Sequence, residues 1–145
     1  TFGIKAGRSA ALACKETGES PRTCSFDGLA CADCGAFYHA LQEIMSCSAM
    51  VARDGEHLAD ALEQVSQMQH ELGLKRSEDA AAVASTRRLC GQLLTAECIL
   101  SAASLRTESR GSHYRADYPE ENAALAVPIQ LKMESGKPAA RFLRQ

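Results

Sequence analysis

Arg106, Glu108, Arg110, His113, Tyr114, Arg115 and Asp117 crowd into one short stretch, RTESRGSHYRADYPE, at positions 106–120. An arginine carries five N–H donors in a rigid fork and grips carboxylates and carbonyl oxygens. Three such forks, mixed with acids, a histidine and a tyrosine, are suited to clasping the polar surface of a neighbouring domain. Arg106 and Arg110 stand four residues apart, one helix face by spacing, where cations suit the negative end of a helix. Asp117 and Glu120 can accept from them. Gly111 permits a left-handed turn, and Pro119 holds the chain extended. A plain solvated helix end would explain the charges. It would not explain the special-backbone residues set among them, so the stretch is read as an interdomain clasp, with no catalytic residue in it.

Cysteine is the second chemistry-bearing type. The seven cysteines are Cys14, Cys24, Cys31, Cys34, Cys47, Cys90 and Cys98. An odd count does not fit a secreted disulfide framework. Cys47, Cys90 and Cys98 fall on helical stripes, where a free cysteine acts as a small buried hydrophobe. Cys31-Ala-Asp-Cys34 is a single CxxC with Cys24 upstream. Structural zinc usually uses two close pairs, so Cys24, Cys31 and Cys34 are weak metal candidates. A redox dithiol is the alternative, since a thiol at a helix start is the reactive kind. Scattered loop cysteines are the plain reading. His39, His57 and His70 each stand alone on helices and are read as surface or boundary residues.

The elements that must position these groups are mostly helical. TFGIKAGRSAALACKE, at 1–16, is helix-compatible, and 17–34 is a Gly-, Ser- and Cys-containing linker. Apolar spacing predicts helices near 36–51, 55–72 and 78–110. The first carries Phe37, Leu41, Ile44, Met45 and Ser48. The second carries Leu58, Leu62, Val65, Met68 and Leu72, between an Asp54 cap and a Gly73 stop. The third is capped by Ser77, with Glu78 and Asp79 at its positive end. It buries Val83, Leu89, Cys90, Leu93, Ile99 and Leu100 and runs to Gly111, roughly 50 Å at 1.5 Å per residue. The expected fold is all-α: an up-down-up three-helix bundle over 35–111, spectrin-repeat-like, with an N-terminal helix. Residues 112–145 form an interdomain segment and a short β-like tail around the turn ESGKP. Because the third helix outruns its partners, the charged cluster at its end is expected to be solvated and to stabilise this chain little.

The 145 residues are 46% hydrophobic and 23% charged, with a net charge of −2. That is enough for one core. It gives no electrostatic case for nucleic acid or an anionic membrane. No apolar run approaches the roughly 18 residues of a spanning helix, and no signal peptide opens the chain. The chain begins at Thr1 inside a helix-like stretch and is read as part of a longer protein.

TESRGSHYRADYPE resembles the C-terminal signature of the succinate dehydrogenase and fumarate reductase flavoproteins, with L-aspartate oxidase carrying a close variant. The matching residues are Glu108, Ser109, Arg110, Gly111, His113, Tyr114, Arg115, Asp117, Tyr118, Pro119 and Glu120. TFGIKAGRSAA is similar to the helix that closes the family's FAD-binding domain, and ALQEIMSCSAMVARDGEHLADALEQV is similar to its first helical hairpin. The resemblance implies a parent FAD-dependent oxidoreductase that moves hydride between flavin and a dicarboxylate. This chain would be its C-terminal helical domain, packed on the FAD-binding and capping domains and not active alone. It implies FAD in the parent, none held by this chain, and an iron–sulfur subunit as a partner in electron transport. The implied location is cytoplasmic, peripheral at the inner membrane face. Arg115 after His-Tyr leans toward the dehydrogenase and reductase branch. The alternatives are a free-standing helical interaction module and a small cysteine-based metal or thiol-redox domain.

Overall fold

The computed structural model describes residues 2–17 and 28–143. Cys24 lies outside the described residues, as does the side chain of Cys14, so the expectations placed on them lie outside too. Four helices follow in order: α1 (Phe2–Thr17), α2 (Cys34–Ser48), α3 (Gly55–Glu71) and α4 (Ala80–Leu105). Between and after them run six short strands: β1 (Gly28–Cys31), β2 (Ala52–Arg53), β3 (Leu74–Ser77), β4 (Tyr114–Arg115), β5 (Ile129–Glu134) and β6 (Lys137–Phe142).

Helices α2, α3 and α4 pack on one another through the expected stripes. Leu41 meets Leu58, Ala61, Val65 and Met68, and α4 adds Leu89, Leu93, Ala96, Leu100 and Ala103. On α4 the buried positions recur every three or four residues, which is one face of a 3.6-residue period. Asp54 caps α3 as expected, accepting from the His57 N–H at 2.9 Å. Asp33 caps α2 in the same way.

The all-α expectation does not hold. The strands pair into three two-stranded sheets: β1 antiparallel to β3, β2 parallel to β4, and β5 antiparallel to β6. The first two sheets join segments far apart in sequence, in strands of two to four residues. Strands that short show no alternation to read, and what aligns them is the packing of the helices they flank. The tail hairpin was legible, because Ser135 and Gly136 both take positive φ, 51° and 82°, as a tight two-residue hairpin turn requires.

Helix limits differ as well. Gly73 is not a left-handed stop; Leu72 ends α3 with an extended ψ and the chain enters β3 at once. Asp79, not Ser77, caps α4, and Ser77 instead accepts from the Asp79 N–H. Helix α4 ends at Leu105, five residues early, for about 39 Å of length. Ile99 is 46% exposed while its neighbour Leu100 is fully buried. Ile44 and Leu62 are only partly buried against the core. Cys47 and Cys90 face solvent and Cys98 is half-buried. Leu100→Ala is therefore the core truncation to make. It should cost about 2–5 kcal/mol, and Leu62→Ala clearly less. Urea midpoints of the two variants check the ordering, and a larger loss at Leu62 would invert the register described here.

Candidate functional site

The charged stretch does not protrude as a free helix end. After Leu105 the chain turns back at Arg110–His113, where Gly111 takes φ 59° and the two flanking residues exchange backbone hydrogen bonds of 2.7 and 3.0 Å. It then runs beside β2, so that Tyr114 and Arg115 pair with Ala52 and Arg53, and the Ala116 N–H donates to the Arg53 carbonyl at 2.7 Å. Two sequence motifs that lie 60 residues apart, ARDG and HYRAD, are thus one junction.

Arg115 is the centre of that junction and is 2% exposed. Its Nε and Nη2 donate to the two carboxylate oxygens of Asp117 at 2.8 and 2.7 Å. Its Nη1 donates to the carbonyls of Ala103, Arg106 and Ser104 at 3.0, 3.2 and 3.3 Å. These are the orphan acceptors at the end of α4. The guanidinium also lies 5.1 Å from the centre of the Tyr118 ring, on its face. Asp117 reaches the opposite kind of helix end. It accepts the Gly55 N–H, the first residue of α3, at 3.0 Å. One ion pair therefore joins the negative end of α4 to the positive end of α3, each with the favoured sign. Gly55 suits this approach, since a Cβ there would sit 3.1 Å from Asp117 Oδ2 and 3.2 Å from Arg115 Nη2, and both side chains would have to give by a few tenths of an ångström.

A second knot surrounds Glu108, whose side chain is 0% exposed. It pairs with Arg106, accepts from Arg110 Nε and Nη2 at 3.1 and 3.0 Å, and accepts the Asn122 N–H at 2.8 Å. Arg106 goes on to donate to the carbonyls of Leu125 and Val127 at 2.7 and 2.9 Å and lies over the Phe142 ring. It so ties α4 to the tail hairpin. Ser109 closes the loop between the knots, accepting the Arg115 N–H at 2.9 Å and donating to the Tyr118 carbonyl at 2.8 Å.

His113 sits between the two systems. Arg53 Nη1 donates to its Nδ1 at 3.0 Å, and its Nε2 faces the Arg106 carbonyl at 3.4 Å, which fixes the neutral Nε2–H tautomer. Burial first, and then the arginines around it, push its pKa below the ordinary 6.5. Hydrogen bonds from Arg110 hold Glu108 down from 4.5 to about 2, and those from Arg115 hold Asp117 down from 3.8 to about 2. Both carboxyls bind fewer protons folded than unfolded. Their stabilisation is complete above the unfolded values and is lost as pH falls from about 4.5 toward 2. His113 adds a shallower loss that begins below 6.5. Urea midpoints taken between pH 7 and pH 2 should show this limb; a flat profile down to pH 3 would deny both ion pairs.

The structure brings Arg106, Glu108, Arg110, His113, Arg115 and Asp117 together, and leaves Tyr114 44% exposed on the rim. Two expectations fail. The cluster is not solvated, because residues 112–127 wrap back over the end of α4. Arg106 and Arg110 do not share a helix face; both lie beyond α4 and meet only through Glu108. Arg53 is the member that sequence reasoning missed as a site residue; its signal was the ARDG turn. His39, His57 and His70 are exposed, as expected. Among the described residues no three His, Cys, Asp or Glu side chains cluster to hold a metal.

Comparison with known proteins draws on this same region. The profile described as the fumarate reductase flavoprotein C-terminus matches residues 38–137, from α2 through the hairpin turn. The chain belongs to this family. Within the curated proteins it is 38% identical over 84 residues to an L-aspartate oxidase from Rhodospirillum rubrum, covering 58% of this chain and 26% of that protein. The chain thus spans about a quarter of the relative's length. Two solved flavoprotein structures share the fold. Mycobacterium smegmatis Sdh1, in complex with UQ1, gives a TM-score of 0.61 at 21% identity over 77% of this chain and 20% of its own. An Escherichia coli quinol fumarate reductase FrdA variant gives 0.66 at 19% over 75% and 20%. Membership in the fumarate reductase flavoprotein C-terminal family makes this chain one part of a larger flavoenzyme architecture.

The N-termini of α2, α3 and α4 are capped by the carboxylates of Asp33, Asp54 and Asp79. Among the described residues no helix is long and apolar enough to cross a membrane.

Proposed function

We propose that this chain is the C-terminal helical domain of an FAD-dependent oxidoreductase of the succinate dehydrogenase and fumarate reductase type, in the L-aspartate oxidase branch. Its parent would oxidise or reduce the carbon skeleton of a dicarboxylate, with the flavin held by other domains of the same chain. The observation that carries this is the family match over 38–137. The branch rests on 38% identity to the L-aspartate oxidase against about 20% to Sdh1 and FrdA.

The wiring supports a structural role. Arg106, Arg110 and Arg115 all spend donors on internal acceptors, and Glu108 and Asp117 are their partners. No cation in the knot is left aimed outward for a substrate carboxylate. The knot instead sets the shape of one end of the domain, and Tyr114, with the outer edges of Arg110 and Asp117, forms the clasp toward the FAD-binding and capping domains. An iron–sulfur subunit and a place at the inner membrane face belong to the proposal only if the parent passes electrons to a second protein.

Full-length protein tests the reading. It should purify yellow and, given L-aspartate, reduce an artificial electron acceptor or oxygen. Tyr114→Glu should weaken flavin retention in the full-length protein while leaving the acid limb of unfolding unchanged. A colourless protein, or turnover of none of L-aspartate, succinate and fumarate, would overturn it.

A further inference from the structure

We propose that Cys31 and Cys34 are a reversible dithiol, which closes to a disulfide across the β1–α2 turn by exchange with a low-molecular-weight disulfide of the glutathione class. The inference is independent of the flavoenzyme reading and uses a part of the molecule that the charged knots do not touch.

The placement comes from local structure. Cys31 is the last residue of β1 and Cys34 the first of α2, with a turn at 32–33 between them. Asp33 caps the helix by accepting the Ala36 N–H at 3.0 Å, which fixes where Cys34 starts. Residues at the two ends of such a turn lie within about 7 Å, the span that a disulfide bridges. Both cysteines also converge on one hydroxyl. The Cys31 N–H donates to Thr86 Oγ1 at 2.8 Å, and the Cys34 Sγ lies 3.4 Å from that same oxygen. Thr86 in turn donates to the Ala82 carbonyl at 2.8 Å, so α4 holds the turn in place. The Cys34 Sγ is 4.0 Å from the Cys31 carbonyl oxygen, and so lies back across the turn.

Exposure divides the labour. Cys31 is buried and Cys34 is half-buried. Gly28, Leu29, Leu74, Thr86, Arg87 and Cys90 line an open groove beside Thr86, the residue that both cysteines contact. The half-buried Cys34 is the sulfur that an incoming peptide disulfide can reach. The Cys34 thiolate, its proton lost to solvent, attacks one sulfur of glutathione disulfide. A Cys34–glutathione bond forms, the glutathione S–S bond breaks, and one glutathione thiolate leaves. The Cys31 thiolate, deprotonated in turn, attacks Cys34 Sγ and displaces the second glutathione thiolate. Two protein thiols have lost two electrons and two protons, and glutathione disulfide has become two glutathiones. The Thr86 bonds to the Cys31 N–H and the Ala82 carbonyl involve neither sulfur, so the exchange breaks neither of them. Cys47 and Cys90 are exposed, but each stands on a helix with no described cysteine one turn away.

The test uses the full-length protein, purified with chelator, equilibrated across glutathione/glutathione disulfide ratios, alkylated, and mapped by mass spectrometry. The expected result is a Cys31–Cys34 link with loss of two hydrogens, reversed by dithiothreitol. Its half-oxidation ratio should be roughly tenfold lower in disulfide than the ratio that modifies Cys47 or Cys90, since ring closure is intramolecular. Cys31→Ser should trap glutathione on Cys34; Cys34→Ser should leave Cys31 unmodified. If a serine variant does not fold, the wild-type map decides alone. Free thiols at both positions throughout the series, a link from either to Cys24 or another cysteine, or protection by bound zinc without loss of hydrogen would each overturn the proposal.

Discussion

Replacing Arg115 by alanine should lower the unfolding free energy by about 3–5 kcal/mol, since carbonyls left without a donor at a buried helix end cost about 1–3 kcal/mol each. The side chain is 3% exposed and holds five hydrogen bonds, so little water can replace it. Its loss strands acceptors of two kinds. Asp117 keeps the Gly55 N–H but loses its bidentate partner. The carbonyls of Ala103, Ser104 and Arg106 lose the donor that terminates α4. For a domain whose whole stability is of order 5–15 kcal/mol, such a loss is close to unfolding. Lysine should recover only part of it, since a single ammonium cannot reach Asp117 and the helix end with fork geometry. A double-mutant cycle with Asp117→Ala separates the two roles. Most of the Arg115→Ala loss should remain in the Asp117→Ala background, because capping α4 does not involve Asp117. A loss under 1 kcal/mol would remove Arg115 from the centre of the junction.

The same residue explains why α4 was misread. From Ser104 to Arg110 the sequence has no proline or glycine, and its residues are compatible with helix. Nothing local stops the helix before Gly111. It stops at Leu105 because Arg115, ten residues later, binds the last carbonyls, and because Arg106 takes an extended conformation to carry Glu108 inward. That is tertiary information. The start of α3 was legible in its Asp54 cap, whereas α4 is capped by Asp79 and not by Ser77. Ile99 was assigned to the core because α4 is apolar on more than one face, so periodicity could not choose between Ile99 and Leu100. The 106–120 motif was legible as a family signature. Its inwardness was not legible, because burial of Glu108 depends on Asn122 and on the return of the chain past α4.

Glu108→Ala should lower the melting temperature by roughly 10 °C, as expected when a buried charge network in a domain of this size loses its only anion at the centre. Glu108 is fully enclosed and serves two arginines and the Asn122 N–H at once. Without it Arg106 and Arg110 face each other across a vacated site, two like charges with donors unfilled. Arg106 is the more constrained, since it also holds Leu125 and Val127, so the tail hairpin should loosen with it. Arg110→Ala should do less, because Arg110 is a third exposed and its second acid, Glu121, lies at the surface 3.4 Å away. A solvated helix end would rank these differently: both variants would be near neutral. Glu108→Gln provides the sharper check, since it keeps the shape and removes only the charge. At pH 7 it should be less stable than the wild type. The wild-type carboxyl, ordinarily near 4.5, stays ionised to about 2 in the folded chain, while the glutamine does not titrate. The gap between the two proteins should therefore narrow as pH falls from about 4.5 toward 2, where the wild type too becomes neutral at this position. A gap that is constant over that range would mean that the charge of Glu108 contributes nothing, and that the arginines around it are held by something else.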